Sequence, residues 1–240
     1  MRRWHLMVGT LSRSSRVCAL IATMALVGGC TRILAGTAHP VTPAAEPRPV
    51  PVPDLLIEPD RFPAEYPAAV LDGTAVYRAL QDVDGVSAGS VVTPPECAPP
   101  ALTPQHTAAV QGMDSQNASS LIVTVTRPVT PLRARADQLI ACPSFTAVQG
   151  EDISTVTATV LPAPPVDADD TYAVDQTVTA ESTGLMSRTL TLSAQIGDTR
   201  VSATWLHDGT AESTPDIAPD THALDSLFTE AVLKVRRGGP

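Results

Sequence analysis

Residues 188–206 read RTLTLSAQIGDTRVSATWL, and their alternation decides the fold. From Arg188 to Ile196, Leu190, Leu192, Ala194 and Ile196 fall on every second residue; from Thr199 to Leu206, Val201, Ala203 and Trp205 do the same. A period of two marks a strand with one face toward a core. Gly197-Asp198 between the two runs is a two-residue hairpin turn. Threonine and serine fill the other face, which predicts an antiparallel sheet with water on that side.

The same pattern recurs upstream. From Ser119 to Arg127, Leu121, Val123 and Val125 point one way and Ile122, Thr124 and Thr126 the other. Residues 154–161 place Val156, Ala158 and Val160 on one face; residues 171–181 alternate more weakly. Helical periods frame these strands. Val76, Leu80 and Val83 share a face of a helix over 73–83, with Asp72 as its cap and Gly85 at its end. Thr130-Pro131 starts another, whose expected buried stripe is Leu132, Ala136, Leu139 and Ile140. At the C-terminal end Leu224, Leu227, Phe228, Ala231, Val232 and Val235 repeat at helical spacing, with Asp220 or Thr221 as cap and basic residues in the last turn. Phe62-Pro63 and Tyr66-Pro67 are corners ahead of an apolar segment at 68–71, and residues 86–106 read as loop. The expected class is α+β: an antiparallel sheet of about five strands, covered on one face by helices that include the C-terminal one.

The first 29 residues are of another kind. Arg2, Arg3, Arg13 and Arg16 precede an apolar run from Val17 to Val27, with no acid among them. A basic head and a short apolar run describe a bacterial export signal; a membrane span needs about 20 apolar residues. Leu26-Val27-Gly28-Gly29-Cys30 resembles a lipobox, the motif of bacterial lipoproteins. The resemblance implies cleavage before Cys30, a diacylglyceryl thioether on its thiol and acylation of the new amino terminus. Two or more acyl chains hold a protein on a membrane where one would be marginal. Pro40, Pro43, Pro47, Pro49, Pro51 and Pro53 follow, and a segment so rich in proline is an extended tether. The expected organisation is therefore a signal peptide at 1–29, a lipidated cysteine and tether at 30–57, and one extracytoplasmic domain at 58–240.

Charge and cysteine content narrow the function. The chain has 16 basic and 25 acidic residues; four arginines lie in 1–29, so the remainder carries 12 against 25, a net charge of −13. That sign repels phosphate backbones and argues against a nucleic-acid partner. Cys18 lies in the signal and Cys30 at the lipid site. Cys97 and Cys142 remain, an even pair in an exported chain, and are expected to form a disulfide.

No catalytic constellation stands out. Gly85-Val86-Ser87-Ala88-Gly89 matches the G-x-S-x-G pattern of serine hydrolases, but that motif needs a strand before the serine and a helix after it. Here a helix precedes and an extended Val91-Val92 follows, so a glycine-rich helix exit is the better reading. His39, His106, His207 and His222 have no metal-ligand spacing and read as surface residues. Asp167, Asp169 and Asp170 lack the glycine and glutamate of a calcium loop. Arg127, Arg133 and Arg135 read as arginines paired with acids rather than as a basic patch, and Trp205 as core. No cofactor and no metal are expected.

The lipobox, the tether, the cysteine pair and a small α+β domain together resemble mycobacterial and related actinobacterial envelope lipoproteins. The abundance of alanine, valine, threonine, proline and arginine, with Lys234 as the single lysine, fits such a genome. The domain is also similar in style to the extracellular sensor domains of actinobacterial serine/threonine kinases, which implies an α+β module that binds an envelope ligand. The expected protein is a lipoprotein on the outer face of the cell membrane, anchored through Cys30, with a non-enzymatic binding or sensor-like domain. The alternatives are a lipid or glycolipid carrier with an apolar cavity, and a hydrolase using Ser87.

Overall fold

The computed structural model describes residues 49–101, 103–127, 130–210 and 217–238. Among these residues nine strands form one sheet: β1 (Ala68–Val70), β2 (Val91–Thr93), β3 (Thr107–Asp114), β4 (Ser119–Thr126), β5 (Ser144–Gln149), β6 (Asp152–Leu161), β7 (Asp170–Ala180), β8 (Leu185–Ile196) and β9 (Thr199–Thr210). Their order is β1-β3-β4-β9-β8-β7-β6-β5-β2, and each neighbouring pair is antiparallel. The expected sheet of about five strands is thus its interior, β4 and β6 to β9, while β1, β2, β3 and β5 extend both ends. The decisive hairpin is central: Leu190 faces Trp205, Ile196 faces Thr199, and Gly197 turns the chain at φ 56°.

Among the described residues three α-helices cover the sheet: α1 (Gly73–Asp84), α2 (Leu132–Ala141) and α3 (Thr221–Gly238). Helix α3 lies on β4, β8 and β9. All six side chains of its expected stripe are buried, in one cluster with Leu121, Val123, Val125, Val201, Ala203 and Trp205. The Asp220 carboxylate accepts from the Ala223 amide at 3.1 Å and caps the helix.

The opposite face is covered too, which corrects the expectation of a wet side. Helix α2 packs on β6, β7 and β8, and α1 sits near β3. Leu139 joins Ala158 and Val174, side chains that alternate with those facing α3. Part of the threonine face is buried, helped by hydroxyls that pair across strands. Thr191 and Thr204 lie 2.9 Å apart, and Ser193 and Ser202 2.8 Å.

Two further boundaries move. Val52, Leu55, Leu56 and Ile57 belong to the α3-side core, so the end of the segment read as tether is domain. Within 86–106, read as loop, lie β2 and short 3-10 turns at 95–97 and 104–106. Cys97 in the first of these turns is bonded to Cys142 at the C-cap of α2.

Candidate functional site

Between the hydroxyl face of the sheet and its two helices lies a cavity of about 420 Å³. Its floor is Thr124, Thr126, Thr191, Ser193 and Ser202 from β4, β8 and β9; Leu80 and Val83 of α1 and Pro100 and Ala101 of the following connection give it an apolar wall. Four functional side chains meet there: Asp84, Arg135, Tyr172 and Arg200.

Each is placed by local structure. Asp84 is the last residue of α1. That helix is capped by the Asp72 carboxylate on the Ala75 amide at 2.9 Å and ends at Gly85, left-handed at φ 68°. A Cβ on Gly85 would meet Val178 at 2.5 Å, so glycine both ends the helix and lets it approach β7. There the Gln176 amide donates to the Val83 carbonyl at 3.2 Å. Arg135 is the buried middle of α2, only 5% exposed. The expected stripe of α2 is rotated: Leu132, Arg135 and Leu139 face the sheet and Ile140 is 64% exposed. Tyr172 and Arg200 fall on the cavity side by the alternation of β7 and β9.

Asp84 and Arg135 pair at 3.6 Å (Oδ1 to Nη2). The second terminal nitrogen of Arg135 donates to Gln138 Oε1 at 2.6 Å, and the Gln138 amide donates to the Glu96 and Ala98 carbonyls, both at 2.8 Å. A polar chain thus runs from α1 through α2 to the loop that the disulfide also holds. Arg200 is attached differently: one terminal nitrogen donates to the Thr130 carbonyl at 2.7 Å, while its Nε is buried without a partner among the described residues. Burial pushes the Asp84 carboxyl above its ordinary range, although Arg135 and then Arg200 pull it down. Burial likewise raises the Tyr172 phenol, against Arg135, Arg200 and a hydrogen bond with Ser193. Burial makes the Arg200 charge costlier; Tyr172 and Asp84 favour it and Arg135 opposes it. The cavity therefore holds two guanidiniums, one reluctant carboxylate and a neutral phenol.

The residues singled out from sequence fall elsewhere or into new roles. Cys30 and His39 lie outside the described residues. Ser87 is exposed just past α1, with a helix before it and β2 after it. His207 is buried at 5%, stacked on Trp205 with its Nδ1 3.1 Å from the Asn117 carbonyl oxygen, which corrects its reading as a surface residue. Asp170 pairs with Arg133 at 3.5 Å, Asp167 with Arg236, and Asp169 accepts from the Gly197 amide at 2.7 Å. Arg127 pairs with Asp198 at 3.2 Å, so all three arginines meet acids, on three different parts of the chain. No group of three or more His, Cys, Asp or Glu among the described residues could hold a metal ion. Sequence reading passed over Asp84, Tyr172 and Arg200. The available signal was that Arg200 lies on the hydroxyl side of the decisive hairpin, an odd place for a lone cation.

No protein-family model matches the chain, and no curated protein does. Among solved structures it is similar to the X-ray structure of an uncharacterised protein of Mycobacterium smegmatis (Rv0999 ortholog). The TM-score is 0.45 at 16% identity, over 74% of this chain and 92% of that one.

Proposed function

We propose that the protein is a cell-envelope lipoprotein, anchored to the outer face of the membrane through Cys30, whose domain binds a small molecule rather than transforming one. The cavity between the hydroxyl face of the sheet and α1 and α2 carries this reading. Its volume of about 420 Å³ is in the range of small-molecule sites, and its wall mixes apolar side chains with a few fixed polar groups. The apolar side of the sheet is filled by α3, with Leu227, Phe228 and Ala231 at most 2% exposed. That counts against a carrier with its lipid between sheet and final helix. Ser87 follows α1 and precedes β2, the reverse of the strand-then-helix order that a serine nucleophile needs, which favours binding over hydrolysis.

Native mass spectrometry of the full chain, released in a mild uncharged detergent, is the test. The expected result is a non-covalent adduct of a few hundred daltons alongside the acyl mass on Cys30. A co-purified two-chain lipid would favour the carrier. No adduct, together with no thermal shift from any small molecule in a broad panel, would end the binding reading.

A further inference from the structure

We infer that the cavity is an anion site: it takes a small molecule with a carboxylate- or phosphate-type group held by Arg200 and a short apolar arm against Leu80, Val83 and Pro100. The inference deepens the binding reading above and rests on it. Its first support is charge. The cavity lining holds two guanidiniums and one carboxylate, inside a chain of net charge −9. At distances beyond about 8 Å salt screens the acidic surface, so the local excess governs what docks. Asp84 is committed to Arg135 at 3.6 Å. Among the described residues Arg200 forms no ion pair.

The second support is the unmet hydrogen bond. Arg200 lines the cavity, with one terminal nitrogen donating to the Thr130 carbonyl and its Nε buried with no acceptor among the described residues; a guanidinium presents its donors as a planar fork that two oxygens of one anion can fill together. Buried donors without acceptors are rare in native proteins and call for an explanation; an oxyanion in the cavity supplies an acceptor once the guanidinium turns toward it. The floor adds further donors. Ser193 and Ser202 lie 2.8 Å apart and Ser193 also shares a hydrogen bond with the Tyr172 phenol, so three hydroxyl protons serve two contacts and one is left to donate. The opposite wall has no hydrogen-bonding side chain at Leu80, Val83, Pro100 or Ala101, which suits the apolar arm.

The test titrates the full chain, in an uncharged detergent, with benzoate, phenyl phosphate and benzamide, the neutral counterpart of benzoate. At least one anion should bind tenfold or more tighter than benzamide. Arg200→Gln should abolish that preference, and Arg133→Gln, a change at an exposed residue outside the cavity lining, should leave it. Whether benzoate or phenyl phosphate binds better separates a carboxylate ligand from a phosphate one, and either order supports the site. Equal binding of benzoate and benzamide, or an anion preference indifferent to Arg200→Gln, overturns the anion site while a neutral small-molecule pocket stands. No binding of any probe, with no co-purified molecule, overturns both. Should Arg200→Gln fail to fold, Arg200→Lys keeps the charge without the fork: the preference should persist with weaker binding, and wild-type affinity would exclude Arg200 as the contact.

Discussion

Replacing Arg135 by leucine probes the polar chain that positions α1, α2 and the disulfide loop. At 3.6 Å and an effective dielectric constant of about 20, the attraction between Asp84 and Arg135 is about 4.6 kcal/mol before desolvation. Leucine removes it and leaves Asp84 three-quarters buried with only Arg200 as a nearby cation. Breaking a buried pair on one side costs about 3–5 kcal/mol, and Gln138 also loses its donor. The pH dependence has a definite sign. The Asp84 carboxyl is raised above 3.8 in the folded protein, so above that pH the folded state holds more protons than the unfolded one. Stability from this group is full below the ordinary value and falls as pH rises through the folded one. Without Arg135 the carboxyl rises further; Arg200 and the Tyr172 phenol remain as its ionisable neighbours. Arg135→Leu should therefore cost about 3–5 kcal/mol at pH 7, less toward pH 4. The double variant Asp84→Asn/Arg135→Leu should recover part of the loss, a coupling of about 1–3 kcal/mol. Urea denaturation of the wild type, Asp84→Asn, Arg135→Leu and the double variant at pH 4, 5.5 and 7 measures all of this. A loss at pH 7 below about 1 kcal/mol, or one independent of pH, refutes the reasoning.

Four other outcomes follow from the same structure. Replacing Cys97 and Cys142 by serine opens a loop of sequence separation 45 and should lower the unfolding free energy by about 4 kcal/mol on the chain-entropy account, read by denaturant titration. Phe228→Ala in α3, at 1% exposure, should cost about 3–5 kcal/mol by the same measurement. Gly112→Ala puts a Cβ 2.6 Å from the Tyr66 carbonyl oxygen and 2.7 Å from the Phe62 ring; it should cost about 1–3 kcal/mol and loosen the start of the domain to limited proteolysis. Cys30→Ala should leave the precursor unprocessed or release the chain to the medium; a variant still processed, acylated and partitioning into detergent would sink the lipid anchor.

What could be read from sequence were the elements whose own residues state their period. The β8–β9 hairpin, β4, α1 and α3 each carry a regular stripe and a turn or cap, and each lies where its pattern puts it. The missed strands owe their place to neighbours instead. β1 and β2 have three residues each, too few to show a period. β3 reads Thr-Ala-Ala-Val-Gln-Gly-Met-Asp, with few β-branched residues to mark a strand, and its Gly112 admits the 62–66 segment against it. In α2 a hydrophobicity rule favoured Ile140 over Arg135, and only the buried partner Asp84, 51 positions away in the chain, reverses that choice. The site was legible only in part for the same reason: a pairing across three elements leaves no local pattern.

The threonine face joins the misread sheet to the site. Alternation shows that two faces differ, and hydroxyls on one of them are compatible with water or with a helical cover. Hydroxyls that pair across strands, as Thr191 does with Thr204, can be buried without large loss, yet they offer little apolar area to draw a helix tightly down. The α3 face has that apolar area and is filled. On the hydroxyl face the covering helices are held partly by other means: the Cys97–Cys142 bond, the Asp84–Arg135–Gln138 chain and the Gln176 contact to the end of α1. These contacts lie at particular points and leave part of the floor between them uncovered, so a cavity opens there with Arg200 in its lining. The composition that suggested solvent on that side thus leaves room for a cavity.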